Sequence, residues 1–305
     1  MSGNAVQLHK RLYDKADVVI QVIVYLGIVM LSLLIILPCM NVLALSFNDG
    51  GDAARGGVFF WPRVFTFANF LTVFRDGRIM RAYGITVSRT VVGTLATLAA
   101  TTLTAFVLKE KDLPGRRIIS FLVTFTMLFG GGLIPTYIQY NRLHLLNSFW
   151  VYIVPGLLSV VHIMMMRTFF ETIPGSLQES AMLDGCGYFE IYWRITLPLS
   201  KSVIAVIALY SGVGHWNDWF SGAFFMNTDR LWPVQTVLQQ MLARAMSATR
   251  EVSTVSQAIA KTAGNVTSDA LKMAAVVITA TPIICIYPFI QKYFTKGVMI
   301  GAVKG

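Results

Sequence analysis

Few residues of this sequence could do chemistry, and they stand in oily surroundings. His215, Trp216, Asn217 and Asp218 come late in one apolar stretch, while Arg89 and His162 interrupt two others. A charge at the centre of a membrane helix costs about 2.5–3.5 kcal/mol on insertion scales, so such groups face protein or water. The 215–218 group therefore has two readings: the wall of a translocation path, or interhelical hydrogen bonding of about 0.6 kcal/mol per bond. Arg89 can snorkel along its helix, and His162 can act as a neutral packed donor. Met164, Met165 and Met166 read as core or lipid-facing filler.

Other chemistries find no residues to carry them. Cys39, Cys186 and Cys285 lie in or beside apolar runs without paired spacing, so they form neither a disulfide framework nor a metal site. There are no paired carboxylates, no nucleophile with a base and no H-E-x-x-H helix. The G-x-x-x-x-G-K-[ST] phosphate loop is missing too, so the chain hydrolyses no ATP itself. A formal charge of +10 is scattered over loops without interleaved aromatics, which points to lipid headgroups and away from nucleic acid.

These residues sit on elements that only a membrane accommodates. The 305 residues are 55% hydrophobic and 13% charged, where soluble domains hold about 25% charged residues. A helix crossing hydrocarbon needs roughly 20 apolar residues. Six runs qualify, at 18–47, 83–108, 118–140, 150–170, 202–226 and 273–294. The first follows Lys10, Arg11 and Lys15 but is about twice the 7–15 apolar residues of a secretory signal, so it stays in the membrane. Positive charge gives only a weak vote on orientation: the 109–117 cluster favours a cytoplasmic amino terminus, and the five arginines of 48–82 oppose it. With no repeat and no linker, one membrane domain is expected. The long segment 227–272 is expected to hold a helix opening at Pro233, with Val234, Val237, Leu238, Met241 and Leu242 on a packing face.

One polar interlude stands out, ESAMLDGCGYFEIYWRITLPLS at 179–200. Ser176 followed by Glu179 reads as a capping box, so a short helix is expected over about 177–184. Gly185 then stops it in a left-handed conformation. A second short helix leads to Leu197 and Pro198, which resets the chain before the fifth run. The product is a helix–turn–helix on the membrane surface.

The spacing of Glu179, Ala181, Gly185, Ile195, Leu197 and Pro198 resembles the EAA loop of binding-protein-dependent ABC importer permeases, with Ser180 and Cys186 as small-residue departures. WNDW at 216–219 and the terminal GAVKG are similar to the maltose-type carbohydrate-uptake branch. The resemblance implies an all-α integral membrane protein with six transmembrane helices of the type I ABC importer permease kind and a cytoplasmic coupling helix. It divides the chain into a cytoplasmic amino terminus (1–17), a transmembrane domain (18–294) and a cytoplasmic tail (295–305). The coupling loop would be 171–201, and the large external loops 48–82 and 227–272. Glu179, Ser180, Ala181, Asp184, Gly185, Ile195, Leu197 and Pro198 would contact the ATPase, and Gly301, Ala302, Val303, Lys304 and Gly305 would reach it as a tail. His215, Trp216, Asn217 and Asp218 are the candidates for the path.

Implied partners are a second homologous permease, two ATP-binding subunits holding ATP and Mg, an extracytoplasmic solute-binding protein, an oligosaccharide and membrane lipid. This chain binds no cofactor of its own. The implied location is the bacterial inner membrane with both termini inside. The 128–150 stretch resembles the subgroup for complex or acidic oligosaccharides such as uronates. In maltose-type systems the sugar site lies largely in the partner permease, and the loop between the last two spans enters the binding protein. The competing reading is an ion-coupled secondary transporter, for which Asp218 would be the one acid available.

Overall fold

The computed structural model describes residues 15–75, 77–251 and 268–302, and their secondary structure is helical apart from one isolated bridge between Asn48 and Phe65. Where one domain is expected, the chain divides into two compact units, Met1–Leu71 with Thr254–Val277, and Thr72–Ser253 with Ile278–Gly305.

In the first unit, α1 (Lys15–Ser46) carries the first apolar run; residues 18–39 are exposed on every side within the chain, and only the end of the helix is buried, at Ala44 and Ser46. A helix apolar all round leaves its burial to lipid or another chain. The segment after α1 is not a loose loop. The Asp49 amide donates to the Val64 carbonyl at 2.8 Å and Thr66 to Phe47 at 2.8 Å, closing the segment on itself. Buried Asn69 locks the crossing by donating to the carbonyls of Ser46 and Asn48, and Phe47 stacks on Phe65. Arg63 reaches across to Asp52 at 3.0 Å.

In the second unit, two short connections lead to the long helices. The helix α2 (Ala68–Arg75), whose residues 68–71 still belong to the first unit, precedes α3 (Gly77–Lys109), the central element, which starts six residues earlier than the expected second run. α3 buries Ala82, Thr86, Arg89, Gly93, Thr97, Thr101 and Ala105. Steps of three and four place them on one stripe. Small side chains there let neighbouring helices approach closely, as membrane helices do where no hydrophobic effect drives them together.

The third expected run is broken. Helix α4 (Arg116–Leu128) and helix α5 (Leu133–Arg142) are separated by an unwound segment holding Gly130, Gly131 and Gly132, the last at φ +82°. Three successive glycines raise the entropy cost of helix and accept the left-handed turn. The fourth run opens with two tight turns, Phe149–Tyr152 and Val154–Gly156, before α6 (Val160–Phe170) at a 47° bend, since Pro155 cannot continue a helical ladder.

Next come α7 (Gly175–Leu183), α8 (Tyr188–Leu199) and α9 (Lys201–Asn217), with 82° between the last two. The fifth run does not extend to residue 226. It stops at Asp218, and a separate helix α10 (Phe220–Phe225) follows. Helix α11 (Val234–Glu251) begins one residue after Pro233. It packs on α3, with Val234 and Leu238 buried and Val237, Met241 and Leu242 half-buried. α12 (Ser268–Ala302) runs on past residue 294, so the expected tail begins as helix, and Val303, Lys304 and Gly305 lie outside the described residues. So do residues 1–14 of the amino terminus.

Among the described residues three helices are long and apolar enough to cross a membrane, and five spans result if each bent pair counts as one. The third expected run, broken into α4 and α5, is not among them.

Candidate functional site

The polar interlude forms the expected helix, turn and helix, with one correction at its start. α7 opens at Gly175, directly after Pro174, and no side chain caps it. Pro174 fixes the extended entry, so the first turn is already wound when Ser176 is reached, and the Ser176–Glu179 capping box does not form. The exit is as expected. Gly185 sits at φ +86°, its amide donates to the Met182 carbonyl at 3.0 Å, and the Cys186 amide donates to Ala181 at 2.9 Å. That pair of bonds is a Schellman motif, which satisfies carbonyls left over at a helix end.

α8 is helical from Tyr188 to Leu199 but widens to a π turn over Tyr192–Thr196. The wider turn gives room to Pro198, whose ring would otherwise meet the Arg194 carbonyl.

Motif residues divide by face. Ala181 is buried with Phe170, Met166, Ile191, Tyr192 and Ile207, and Cys186, Ile195 and Leu197 pack against that cluster. Glu179, Ser180, Asp184, Gly185 and Pro198 are exposed, and Leu183 is 89% exposed. Polar ties fasten the element to the end of α3. Lys109 donates to Gln178 at 2.8 Å, Gln178 donates to Glu110 at 3.0 Å, and the hydroxyls of Thr102 and Tyr192 lie 2.8 Å apart. These bonds tie α7 and α8 to the carboxy-terminal part of α3 through side chains with defined partners.

Near the other end of α9 a second constellation forms, and sequence reasoning foresaw only part of it. Arg89 does not snorkel. It is 1% exposed, donating from one terminal nitrogen to the Asp218 carboxylate at 2.5 Å and from the other to the Asp218 carbonyl at 3.1 Å. Its guanidinium also lies 4.3 Å from the centre of the Tyr152 ring. The other Asp218 oxygen accepts from the Ser221 amide at 3.0 Å, which explains why α9 ends here and α10 begins. Tyr152 in turn donates to the Leu231 carbonyl at 2.7 Å.

These groups border a cavity of about 270 Å³ whose wall includes Arg89, His162, Tyr210, Ser211, His215 and Asp218. His162 stacks on Tyr210, and the His215 ring lies against Gly93 so closely that a Cβ there would collide with it. Of the four expected path residues, His215 and Asp218 line this cavity. Trp216 points elsewhere, donating to the Thr279 carbonyl at 3.2 Å, and Asn217 accepts from Gln235 at 3.4 Å on the surface. Tyr152, Tyr210 and Ser211 were not foreseen. The signal that could have found the site is the α3 stripe, in which Arg89 interrupts a row of small residues.

A second cavity of about 480 Å³, bordered by Thr90, Leu95, Leu209, Trp216 and Ile283, is almost wholly apolar. The three cysteines are free, and among the described residues no group of acidic, His or Cys side chains could hold a metal.

No protein-family model matches the chain. Over 270 residues it is 38% identical to the protein LplC of Bacillus subtilis (strain 168), covering 88% of this chain and 90% of that one. Over 298 residues it is 33% identical to the polygalacturonan/rhamnogalacturonan transport system permease protein YtcP of the same organism, covering 98% and 100%. Among solved structures it matches a chain of a bacterial ABC transporter involved in the import of the acidic polysaccharide alginate, at TM-score 0.84 and 26% identity, covering 92% of this chain and 99% of that one.

Proposed function

The chain belongs to the family of sugar ABC transporter permeases, and we propose that it carries an acidic, uronate-type oligosaccharide across a bacterial cytoplasmic membrane after an extracytoplasmic solute-binding protein delivers it. Two of the proteins it resembles are named for acidic polymers, polygalacturonan and alginate. The observation that carries the coupling role is the two-faced element at α7 and α8: Ala181 is built into the core, while Leu183 stands 89% exposed on a helix that ends in a left-handed glycine. Met182, Tyr188 and Phe189 on either side of the turn are exposed as well, and apolar residues exposed as a group mark a surface for a partner.

In this reading α7 is the cytoplasmic coupling helix, docked through Glu179, Ser180, Leu183, Asp184 and Gly185 into a separate ATPase chain that holds ATP and Mg. The residues Ala181, Ile195 and Leu197 transmit the docking to the core. Six spans result when the broken α4 and α5 pair counts as one, both termini are cytoplasmic, and the 301–305 tail reaches the ATPase pair. The polar cavity beside Arg89, His215 and Asp218 belongs to the translocation path, which a second, homologous permease completes.

An ion-coupled carrier is set aside, since the relatives are ABC transporter permeases and Asp218, the acid such a carrier would titrate, is engaged by Arg89. Co-expression with a second permease, an ATPase and a solute-binding protein of the same kind of transporter tests the proposal. A four-chain complex with two ATPase subunits, showing uptake of tri-galacturonate that requires ATP and the binding protein, is expected. Uptake by this chain alone, driven by a proton or sodium gradient, would overturn it.

A further inference from the structure

We propose that the cavity beside Arg89 is a subsite for one uronate ring within this chain itself, with Arg89 reading the ring's carboxylate. The inference rests on the permease reading above and deepens it by giving this subunit its own contact with the sugar.

Size comes first. At about 270 Å³ the cavity falls just below the roughly 300 Å³ at which pockets for drug-sized ligands begin. That is room for one pyranose ring and not for a chain of them. Its wall supplies both things a sugar ring needs. The rings of Tyr152, Tyr210 and Phe225 offer apolar faces for ring C–H groups, and Ser211, His162 and His215 offer hydrogen-bonding atoms for hydroxyls.

The unmet polar groups indicate the charge. Arg89 is 1% exposed, yet its Nε has no hydrogen-bond partner, and the buried Nδ1 of His162 has none either. A guanidinium offers five N–H donors. Asp218 engages one terminal nitrogen by its carboxylate and the other by its carbonyl, which leaves donors over in a setting where each unmade bond is expensive. The one acid in the wall is thus already committed to holding Arg89 in place. An acceptor-rich ligand meets the remaining donors, and a carboxylate meets a planar guanidinium best. A cationic or purely apolar ligand would leave them unpaired.

The test uses the assembled transporter in nanodiscs, with Cys39, Cys186 and Cys285 replaced by serine and Ser211→Cys introduced. Two thiol reagents of similar size are compared, a sulfonate-bearing and a trimethylammonium-bearing methanethiosulfonate. The sulfonate is expected to react about tenfold faster, the size of effect a charge-assisted bond produces. Tri-galacturonate should slow its reaction, and the methyl-esterified trimer should slow it less. In the same background Arg89→Lys, which keeps the charge but loses the planar donors, should abolish that difference between acid and ester. Equal reagent rates, or equal protection by the two trimers before Arg89 is changed, would overturn the subsite. If the Arg89→Lys complex does not assemble, the protection measured with Arg89 intact decides. Uptake by the unmodified transporter separates the two claims: ATP-driven uptake without protection sinks only the subsite, whereas no ATP-driven uptake of any oligosaccharide sinks the permease reading as well.

Discussion

Arg89 and Asp218 lie 129 positions apart in sequence and meet through two hydrogen bonds, one to the aspartate's side chain and one to its own carbonyl. The double grip makes Asp218 a corner post. It ends α9, starts α10 through the Ser221 amide, and holds a guanidinium against Tyr152.

Removing one member of a buried pair leaves the other charged and unpaired, which costs about 3–5 kcal/mol, whereas replacing both by apolar groups can be nearly neutral. Asp218→Ala should therefore lower the thermal midpoint of the assembled transporter sharply, and Arg89→Met combined with Asp218→Leu should recover much of the loss. A double variant as unstable as the sum of the singles would show that the pair is not energetically coupled.

Gly93 is the floor on which His215 rests. A methyl group at this position would run into the imidazole ring, and overpacking of this kind costs about 1–3 kcal/mol. Gly93→Ala should destabilise the complex, and combining it with His215→Ala should relieve most of the effect. Gly84, around which a Cβ meets nothing, is the control on the same helix. If Gly84→Ala and Gly93→Ala behave alike, close packing at His215 is not what the glycine serves.

How much of this was legible follows from how local each signal is. The apolar runs and the turn at Gly185 are written in neighbouring residues, so α1, α3 and the helix–turn–helix were readable. The Arg89–Asp218 pair was not, because each residue looks isolated in its own apolar run and only the packing of α3 against α9 joins them. The breaks inside the third and fifth runs were masked by hydropathy. Gly130, Gly131 and Gly132 are uncharged and pass as membrane residues, although they unwind the helix. The Ser176–Glu179 capping box failed for the opposite reason: a correct local rule was pre-empted by Pro174 starting the helix two residues earlier.

Outside the spans, the clasp at Asp52 should respond to acid. The Asn48 amide, and with it Arg63, hold the Asp52 carboxyl below its usual value of 3.8. A depressed folded-state value means that the stabilisation is present above the unfolded value and is lost as pH falls through the folded one. The distance between spin labels at positions 54 and 62 should stay constant from neutral pH down to that unfolded value and broaden only below it. Asp52→Asn should remove the transition. Broadening that begins near neutral pH would assign the response to another group.

The helix end at Gly185 carries the last prediction. A left-handed backbone costs an L-residue about 1–2 kcal/mol, and at φ +86° every side chain meets that strain. Asparagine tolerates the conformation better than most residues, so Gly185→Asn should retain much of the stimulated ATP hydrolysis. Gly185→Arg adds bulk and charge to an exposed face next to Leu183, and beyond Gly185 and its two chain neighbours nothing lies within 4 Å of a Cβ built there. The arginine therefore meets little resistance inside the subunit beyond the backbone strain. Its damage should appear where another chain must approach. Uptake and ATP hydrolysis stimulated by the binding protein should fail with Gly185→Arg while the permease pair still assembles, and ATPase recovery on the complex should fall. If Gly185→Arg and Gly185→Asn impair the transporter equally, backbone strain alone accounts for the glycine and the docking role of this face is wrong.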